Sequence, residues 1–320
     1  MIKTTKRALV LTAAAAVIGA LYAPAAWAQK KSLVFVTNAS ADFWTIARRG
    51  TEKAAKELPK YDIRFIVPSE STAAEQRRIL DDLLAKGVAG VAISPVNPAQ
   101  ATDILNKVAD QAVLFTSDSD APNSKRSVYI GTDNVAAGVQ AGELMKKTLP
   151  GGGKAMLFVG TMDNANARER VEGIKKALVG SKIEVLDVRT DEIDFAKARR
   201  NAEDTLTKYP DIDMLVGLYS YNPPQIIEAV KAAGKAGKVK IIAFDEDVVT
   251  LKAISDGIVA GTVVQQPFEF GYQSMIYLAK AIEGDRSFIP ADKLRIVPTR
   301  IIDKSNVAQF QNEMKAMLGK

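Results

Sequence analysis

Histidine and cysteine are both absent from the 320 residues. Without imidazole there is no serine–histidine triad, no zinc site of the usual type and no histidine acid–base step. Without thiols there are no disulfides, no thiolate nucleophile and no cysteine to carry a lipid anchor, so the fold relies on its core alone. Dense basic runs interleaved with aromatics are also missing, which argues against nucleic acid as a partner. No phosphate-binding fingerprint occurs. The first strand is followed by Thr37-Asn38-Ala39-Ser40-Ala41-Asp42 rather than by glycines, and no P-loop lysine motif is found. Beyond the N-terminus, no stretch is long and uncharged enough to cross a bilayer.

At the N-terminus, Lys3, Lys6 and Arg7 precede an apolar run over residues 8–20, and Ala26-Trp27-Ala28 reads as a small-x-small cleavage site. This predicts a secretory signal peptide over residues 1–28, the apolar run being short for a membrane anchor. Cleavage leaves 320 − 28 = 292 residues, enough for two domains with real cores. The signal carries three basic residues and no acid, so the formal charge falls from +6 to +6 − 3 = +3. A soluble periplasmic protein is expected, with no cofactor, acting as a monomer.

Strand and helix patterns then alternate. Strands are predicted over 32–37, 64–67, 88–93, 112–116, 128–130, 154–159, 183–188, 214–218, 239–244, 258–264 and 294–302. Helices are predicted over 43–58, 72–86, 98–110, 134–148, 165–179, 195–208, 223–233, 248–255, 268–283 and 307–318. The strands are continuous apolar runs, the mark of parallel strands covered on both faces. The fold class is α/β, with two doubly wound parallel-sheet lobes. Functional groups are sought where each strand ends, since ligands of open parallel sheets bind at that edge.

Two strand ends stand out. The run Ile241-Ile242-Ala243-Phe244 leads into Asp245, and Thr262-Val263-Val264 leads into Gln265. A strand, a short helix and a second strand form a right-handed parallel unit, so Asp245 and Gln265 project into one crevice. A fixed carboxylate beside a fixed amide suits a polyhydroxy ligand. Glu246 and Asp247 make a solvated acidic turn the bland alternative. Asp118 follows the strand over 112–116 and reads equally as a hydroxyl acceptor or a turn aspartate, with a calcium loop a weaker third reading. Phe43 and Trp44 are read as a platform for a sugar's C–H face, or else as core. Arg168 opens a helix where a cation is disfavoured, which suggests a ligand or carboxylate partner, whereas Arg170 and Glu172 are assigned to a solvated face. Asn222 before Pro223 is a good N-cap by type. Phe195 is wall or core, and Asn38 and Tyr221 are adjacent candidates.

Taken in order, Asp42-Phe43-Trp44, Ile130-Gly131-Thr132-Asp133-Asn134, Ala167-Arg168-Glu169-Arg170-Val171-Glu172-Gly173, Ala243-Phe244-Asp245 and Thr262-Val263-Val264-Gln265-Gln266-Pro267 resemble the periplasmic binding proteins of the ribose-binding type, which serve ABC sugar importers. The resemblance spans the mature chain. It implies two lobes, residues 29–132 plus 266–297 and residues 133–265 plus 298–320, joined by a three-crossover hinge with the ligand cleft between them. It implies ligand contacts at Phe43, Trp44, Asp118, Arg168, Phe195, Asn222, Asp245 and Gln265, and as partners a sugar or polyol, an ABC permease and a chemoreceptor. Ser119 stands where a ribose binder has arginine, and Asn222-Pro223 replaces an asparagine–aspartate pair, which implies a ligand other than ribose. Two further classes remain open on sequence. One is a ligand-sensing regulator, which needs a DNA-binding helix pair at the N-terminus. The other is a secreted glycosidase using Asp118 and Asp245.

Overall fold

The computed structural model describes residues 30–318, so the expected signal peptide and its cleavage after Ala28 lie outside the described residues. The chain runs β1 (Lys31–Val36), α1 (Asp42–Glu57), β2 (Tyr61–Ile66), α2 (Ala73–Ala85), β3 (Gly90–Ile93), α3 (Pro98–Ala109), β4 (Val113–Ser117) and β5 (Val128–Gly131). It continues with α4 (Asn134–Thr148), β6 (Gly153–Val159), α5 (Ala165–Leu178), β7 (Ile183–Thr190), α6 (Phe195–Lys208), β8 (Met214–Gly217), α7 (Asn222–Ala232) and β9 (Lys240–Phe244). It ends with α8 (Val248–Ser255), β10 (Gly261–Val264), α9 (Pro267–Ile282), β11 (Leu294–Ile296), β12 (Arg300–Asp303) and α10 (Val307–Leu318).

Two six-stranded sheets result, ordered β11-β5-β4-β3-β1-β2 and β12-β10-β9-β8-β6-β7. The same order in both makes β1 the counterpart of β6, and β4 the counterpart of β9. Residues 33–36, the whole of β3, β5 and β8, and 241–244 are buried without alternation, as strands covered on both faces must be. Separate apolar clusters pack on each face. Phe35, Phe115 and Phe270 belong to one side of the first sheet and Val34, Leu80 and Leu105 to the other.

The chain passes between the sheets three times: between β5 and β6, between β10 and α9, and between β11 and β12. Helix α9 packs on α1 and on strands of the first sheet, whereas α4 packs on α5 and on β9 and β10. The single strand expected over 294–302 is therefore two. β11 pairs in parallel with β5, and β12 pairs antiparallel with β10. Pro298 lies between them without an amide proton to continue a ladder, and the chain changes sheet there. β10 also begins later than expected. Gly257, at φ 79°, ends α8, and the amide of Ile258 donates to Ala253 O at 2.9 Å, which ties residue 258 to the helix.

Small residues set how close the helices come. A Cβ placed on Gly173 of α5 would lie 2.1 Å from the carbonyl oxygen of Val135, and one on Gly138 of α4 would lie 2.2 Å from that of Arg170. These two glycines let α4 and α5 touch backbone to backbone. The contact fixes α5, whose first two turns face the second sheet's binding edge.

Candidate functional site

Between the two sheet edges lies a cavity. Its lining from the first sheet's side includes Asn38, Phe43, Trp44 and Asp118, and from the second Asn164, Asn166, Arg170, Tyr219, Asp245 and Gln265. Ile193 and Tyr221 close the wall.

Asp118 follows β4 and Asp245 follows β9. Both are buried non-glycine residues in the left-handed region, at φ 63° and 66°. Aspartate tolerates this conformation better than most residues, but it remains an uncommon backbone state. Ile193, also on the cavity wall, has φ 65°, a conformation a β-branched residue rarely adopts.

A polar network crosses the cleft at Asp118. Ser94 Oγ donates to Asp118 Oδ2 at 2.8 Å, and Asn38 Nδ2 donates to the same oxygen at 3.3 Å. Trp44 Nε1 donates to Asn38 Oδ1 at 3.1 Å, so the indole positions the amide that reaches the carboxylate. From the opposite side, Asn166 Nδ2 lies 3.4 Å from both Asp118 oxygens, and Tyr219 Oη donates to Asn166 Oδ1 at 2.9 Å. Burial pushes the Asp118 carboxyl up to about 6, against the pull of the Arg170 guanidinium.

At the second aspartate, Gln265 Nε2 donates to Asp245 Oδ1 at 2.8 Å, and Thr262 Oγ1 donates to Asp245 O at 2.8 Å. Strands β9 and β10 are parallel and adjacent, so the expected projection of Asp245 and Gln265 into one crevice is the observed one. Burial raises the Asp245 carboxyl as well, again opposed by Arg170.

Among the described residues, Arg170 is the cation lining this cavity. Its Nη1 donates to Leu218 O at 2.6 Å and lies 4.0 Å from Asp245 Oδ2; its Nε donates to Asn134 Oδ1 at 3.1 Å. The guanidinium sits 4.7 Å from the centroid of Phe244. The expectation for the two arginines is thus reversed. Arg168 is exposed, its Nη1 donating to Met162 O and Asp163 O, and it lies away from the cavity. Two residues along a helix is about 200°, so these arginines point to opposite faces. Arg170 belongs to the buried stripe that includes Ala167, Val171 and Ile174.

Two other expectations change. Phe195 is 45% exposed and stacks on Tyr221 at 4.7 Å between centroids, outside the cavity. Asn222 is buried behind the wall rather than capping α7. Its Nδ2 donates to Asp191 Oδ2 at 2.8 Å, and its Oδ1 accepts from the amide of Tyr219 at 3.0 Å. Asp191 also accepts from the Tyr221 hydroxyl, so this trio braces the tyrosine segment; burial pushes the Asp191 carboxyl up to about 6. Phe43 and Trp44 are core and lining at once, buried and in edge contact at 5.0 Å.

Asn164, Asn166 and Tyr219 were not singled out by sequence. Asn164 occupies the N-cap position of α5 but makes no cap bond, and both its side-chain polar atoms are buried without a partner. Arg170 Nη2 and Gln265 Oε1 are likewise buried and unpartnered. The cavity therefore presents two donors and two acceptors with unused capacity. Among the described residues, no group of His, Cys, Asp and Glu side chains is arranged to hold a metal ion.

Residues 33–286 match the family described as "Periplasmic binding protein domain". The chain belongs to this family. Its relatives include the ribose import binding protein RbsB of Haemophilus influenzae, 28% identical over 90% of this chain and 98% of the relative. The D-allose-binding periplasmic protein of Escherichia coli is 26% identical over 86% of this chain and 92% of the relative. Among solved structures, an ABC transporter solute-binding protein from Burkholderia graminis in complex with D-arabinose superposes with a TM-score of 0.82. It is 28% identical over 86% of this chain and 96% of that one. GanP, a glucose-galactose binding protein from Geobacillus stearothermophilus, gives 0.81 at 28% identity over 87% and 99%. This is a family of substrate-binding proteins rather than enzymes, and its fold of two parallel-sheet α/β lobes is the one described above. No helix among the described residues is long and apolar enough to cross a membrane.

Proposed function

We propose that this periplasmic binding protein holds a neutral monosaccharide or polyol between its two lobes and delivers it to the permease of an ABC importer. The observation that carries the reading is the pair of buried strand-end aspartates, one from each lobe, in one cavity with Arg170 as its cation. Two carboxylates against one guanidinium leave no positive excess for an anionic ligand. A hydroxyl both donates and accepts, so it matches a wall that offers unused donors at Arg170 and Asn164 and unused acceptors at Gln265 and Asn164. A buried hydroxyl left unpaired costs about 1–3 kcal/mol, so such a wall discriminates between stereoisomers. Phe43 and Trp44 cover an apolar ring face. The relatives named for ribose, allose, D-arabinose and glucose–galactose support the substrate class.

In this reading the lobes are residues 29–132 plus 266–297 and residues 133–265 plus 298–320, and they close about the three inter-sheet crossings. Docking to a sensor protein is a second role, supported by a chain of the XylFII–LytSN complex that is 26% identical with a TM-score of 0.80.

The test is a thermal-shift panel of aldoses, ketoses, polyols, sugar acids and amino acids, followed by calorimetry. Stabilisation by a neutral sugar or polyol is expected. Stabilisation by acidic or amino compounds alone would refute the proposal, and turnover of a labelled glycoside would sink the binding-only reading.

A further inference from the structure

A second recess adjoins the cavity. It is an open groove lined by Thr45 and Asp42 on one lobe and by Phe195, Pro224, Gln225 and Asp247 on the other. Cavity and groove share Ala41, Ser220 and Tyr221, so these three residues form the partition between them. Ala41 and Ser220 bring only a methyl and a hydroxymethyl side chain to this partition. Tyr221, by contrast, is anchored through its hydroxyl to Asp191 and by its ring against Phe195.

We propose that the groove is a subsite for a second sugar ring, so that the ligand class extends to a disaccharide whose first ring fills the cavity. The inference rests on the sugar-binding reading above and adds a place for the glycosidic substituent. Phe195 supplies an apolar platform of the kind that packs on a ring's C–H face, and it is 45% exposed there rather than buried in a core. Thr45, Gln225, Asp42 and Asp247 supply hydroxyl, amide and carboxylate groups around it. Among the described residues neither Lys nor Arg lines the groove, and burial with the nearby Asp42 charge raises the Asp247 carboxyl. A phosphate or carboxylate substituent would meet two acids and no cation, so the occupant is uncharged and hydroxyl-bearing. The position of Phe195 outside the cavity also gains an explanation, since an aromatic ring exposed at a cleft mouth otherwise has no partner for its free area.

Isothermal titration calorimetry of the full mature chain tests this. The probes are the monosaccharide with the largest thermal shift and the disaccharides that carry it as either ring. Thr45→Trp fills the groove from the first lobe and leaves the cavity lining untouched; Phe195→Ala removes the platform. At least one disaccharide is expected to bind, and Thr45→Trp is expected to abolish that binding while the monosaccharide affinity stays within about twofold. Phe195→Ala is expected to weaken the disaccharide roughly tenfold more than the monosaccharide. Tight monosaccharide binding with no disaccharide binding overturns the subsite and leaves the parent reading intact. Disaccharide binding unaffected by Thr45→Trp also overturns it. Failure of every sugar to bind refutes the parent reading and the subsite together.

Discussion

Asp118 and Asp245 are counterparts in two lobes of equal strand order, each leaving its strand at positive φ and each turning a buried carboxylate into the same cavity. The left-handed backbone turns the chain away from the strand direction just where the side chain enters the cleft. Asparagine tolerates the same conformation and keeps the shape, but it exchanges an acceptor pair for one acceptor and one donor. Asp118→Asn is therefore expected to keep the fold and to lose two orders of magnitude or more in sugar affinity, on the order of 3 kcal/mol. Asp245→Ala is expected to abolish binding. Calorimetry with the preferred sugar reads both, and retention of wild-type affinity by either variant would remove that aspartate from the site.

Stability of the ligand-free protein should rise as pH falls from 7 toward 4. Burial raises Asp118 and Asp191 from 3.8 to about 6 and raises Asp245 in the same direction. A carboxyl raised in the folded state binds its proton more tightly there than in the unfolded chain. Above pH 6 the folded state carries the full penalty, and below about 4 neither state differs. For Asp118 and Asp191 the shift of about two units corresponds to roughly 3 kcal/mol each. Opposing carboxylates, held low by hydrogen bonds and ion pairs, are Glu57, Glu75, Asp211, Glu283, Asp285, Asp303 and Glu313; their partners are mostly solvent-screened, and their loss sets in below about pH 5. Thermal unfolding between pH 4 and 8 reads the slope, and Asp118→Asn should flatten it. A transition temperature that falls between pH 7 and 5 would contradict the assignment.

The alternation of strands and helices, and with it both lobes, was legible because the parallel strands are covered on both faces and read as unbroken apolar runs. Strand-end placement likewise led to Asp118, Asp245 and Gln265, since topology alone decides what stands at that edge. Helix-borne residues were harder, because a side chain's direction depends on the helix's rotation about its axis. The stripe Ala167, Val171 and Ile174 carries that rotation, and it puts Arg170 on the covered side and Arg168 on the open one. A charged residue inside an apolar stripe is the signal that would have found Arg170. Asn164 gave no such sign, because an asparagine at a helix start has an ordinary role as a cap, and only the missing cap bond marks it out. Phe195 and Asn222 follow strand ends as the site residues do, but packing against Tyr221 and Asp191 takes them out of the cavity.

Arg170 and Arg168 offer a paired test. Removing Arg170 leaves Asp118 and Asp245 buried without their cation and leaves Leu218 O and Asn134 Oδ1 without their donor. Arg170→Ala is expected to cost about 3–5 kcal/mol of stability and to eliminate sugar binding. Arg170→Lys keeps the charge but not the fork that reaches several acceptors, so it should recover part of the stability and little of the affinity. Arg168→Ala removes an exposed side chain and should change stability by less than about 0.5 kcal/mol, with affinity unchanged. Denaturant unfolding and calorimetry on the three variants decide the matter. Loss of binding on Arg168→Ala with retention on Arg170→Ala would reverse the assignment.

Close packing against α4 at Gly173 holds α5 in place. The three atoms nearest to where a methyl on Gly173 would go are all backbone: Val135 O at 2.1 Å, Gly138 Cα and Val139 N at 2.8 Å. Backbone cannot swing aside as a flexible side chain can, so Gly173→Ala must push α5 and α4 apart. Such overpacking costs about 1–3 kcal/mol. The displacement is carried to Asn166 and Arg170 on the same helix, one or two turns nearer its start, and so to both aspartates. Affinity should therefore fall along with stability, by about tenfold or more, although Gly173 touches no ligand. Gly180→Ala is the control. It has open space around it but sits at φ 76°, so it should lower stability by about 1 kcal/mol through backbone strain alone and leave affinity intact. If both variants lose stability and neither loses affinity, α5 adjusts independently of the packing at Gly173. The close approach of α4 and α5 would then serve the core and not the site.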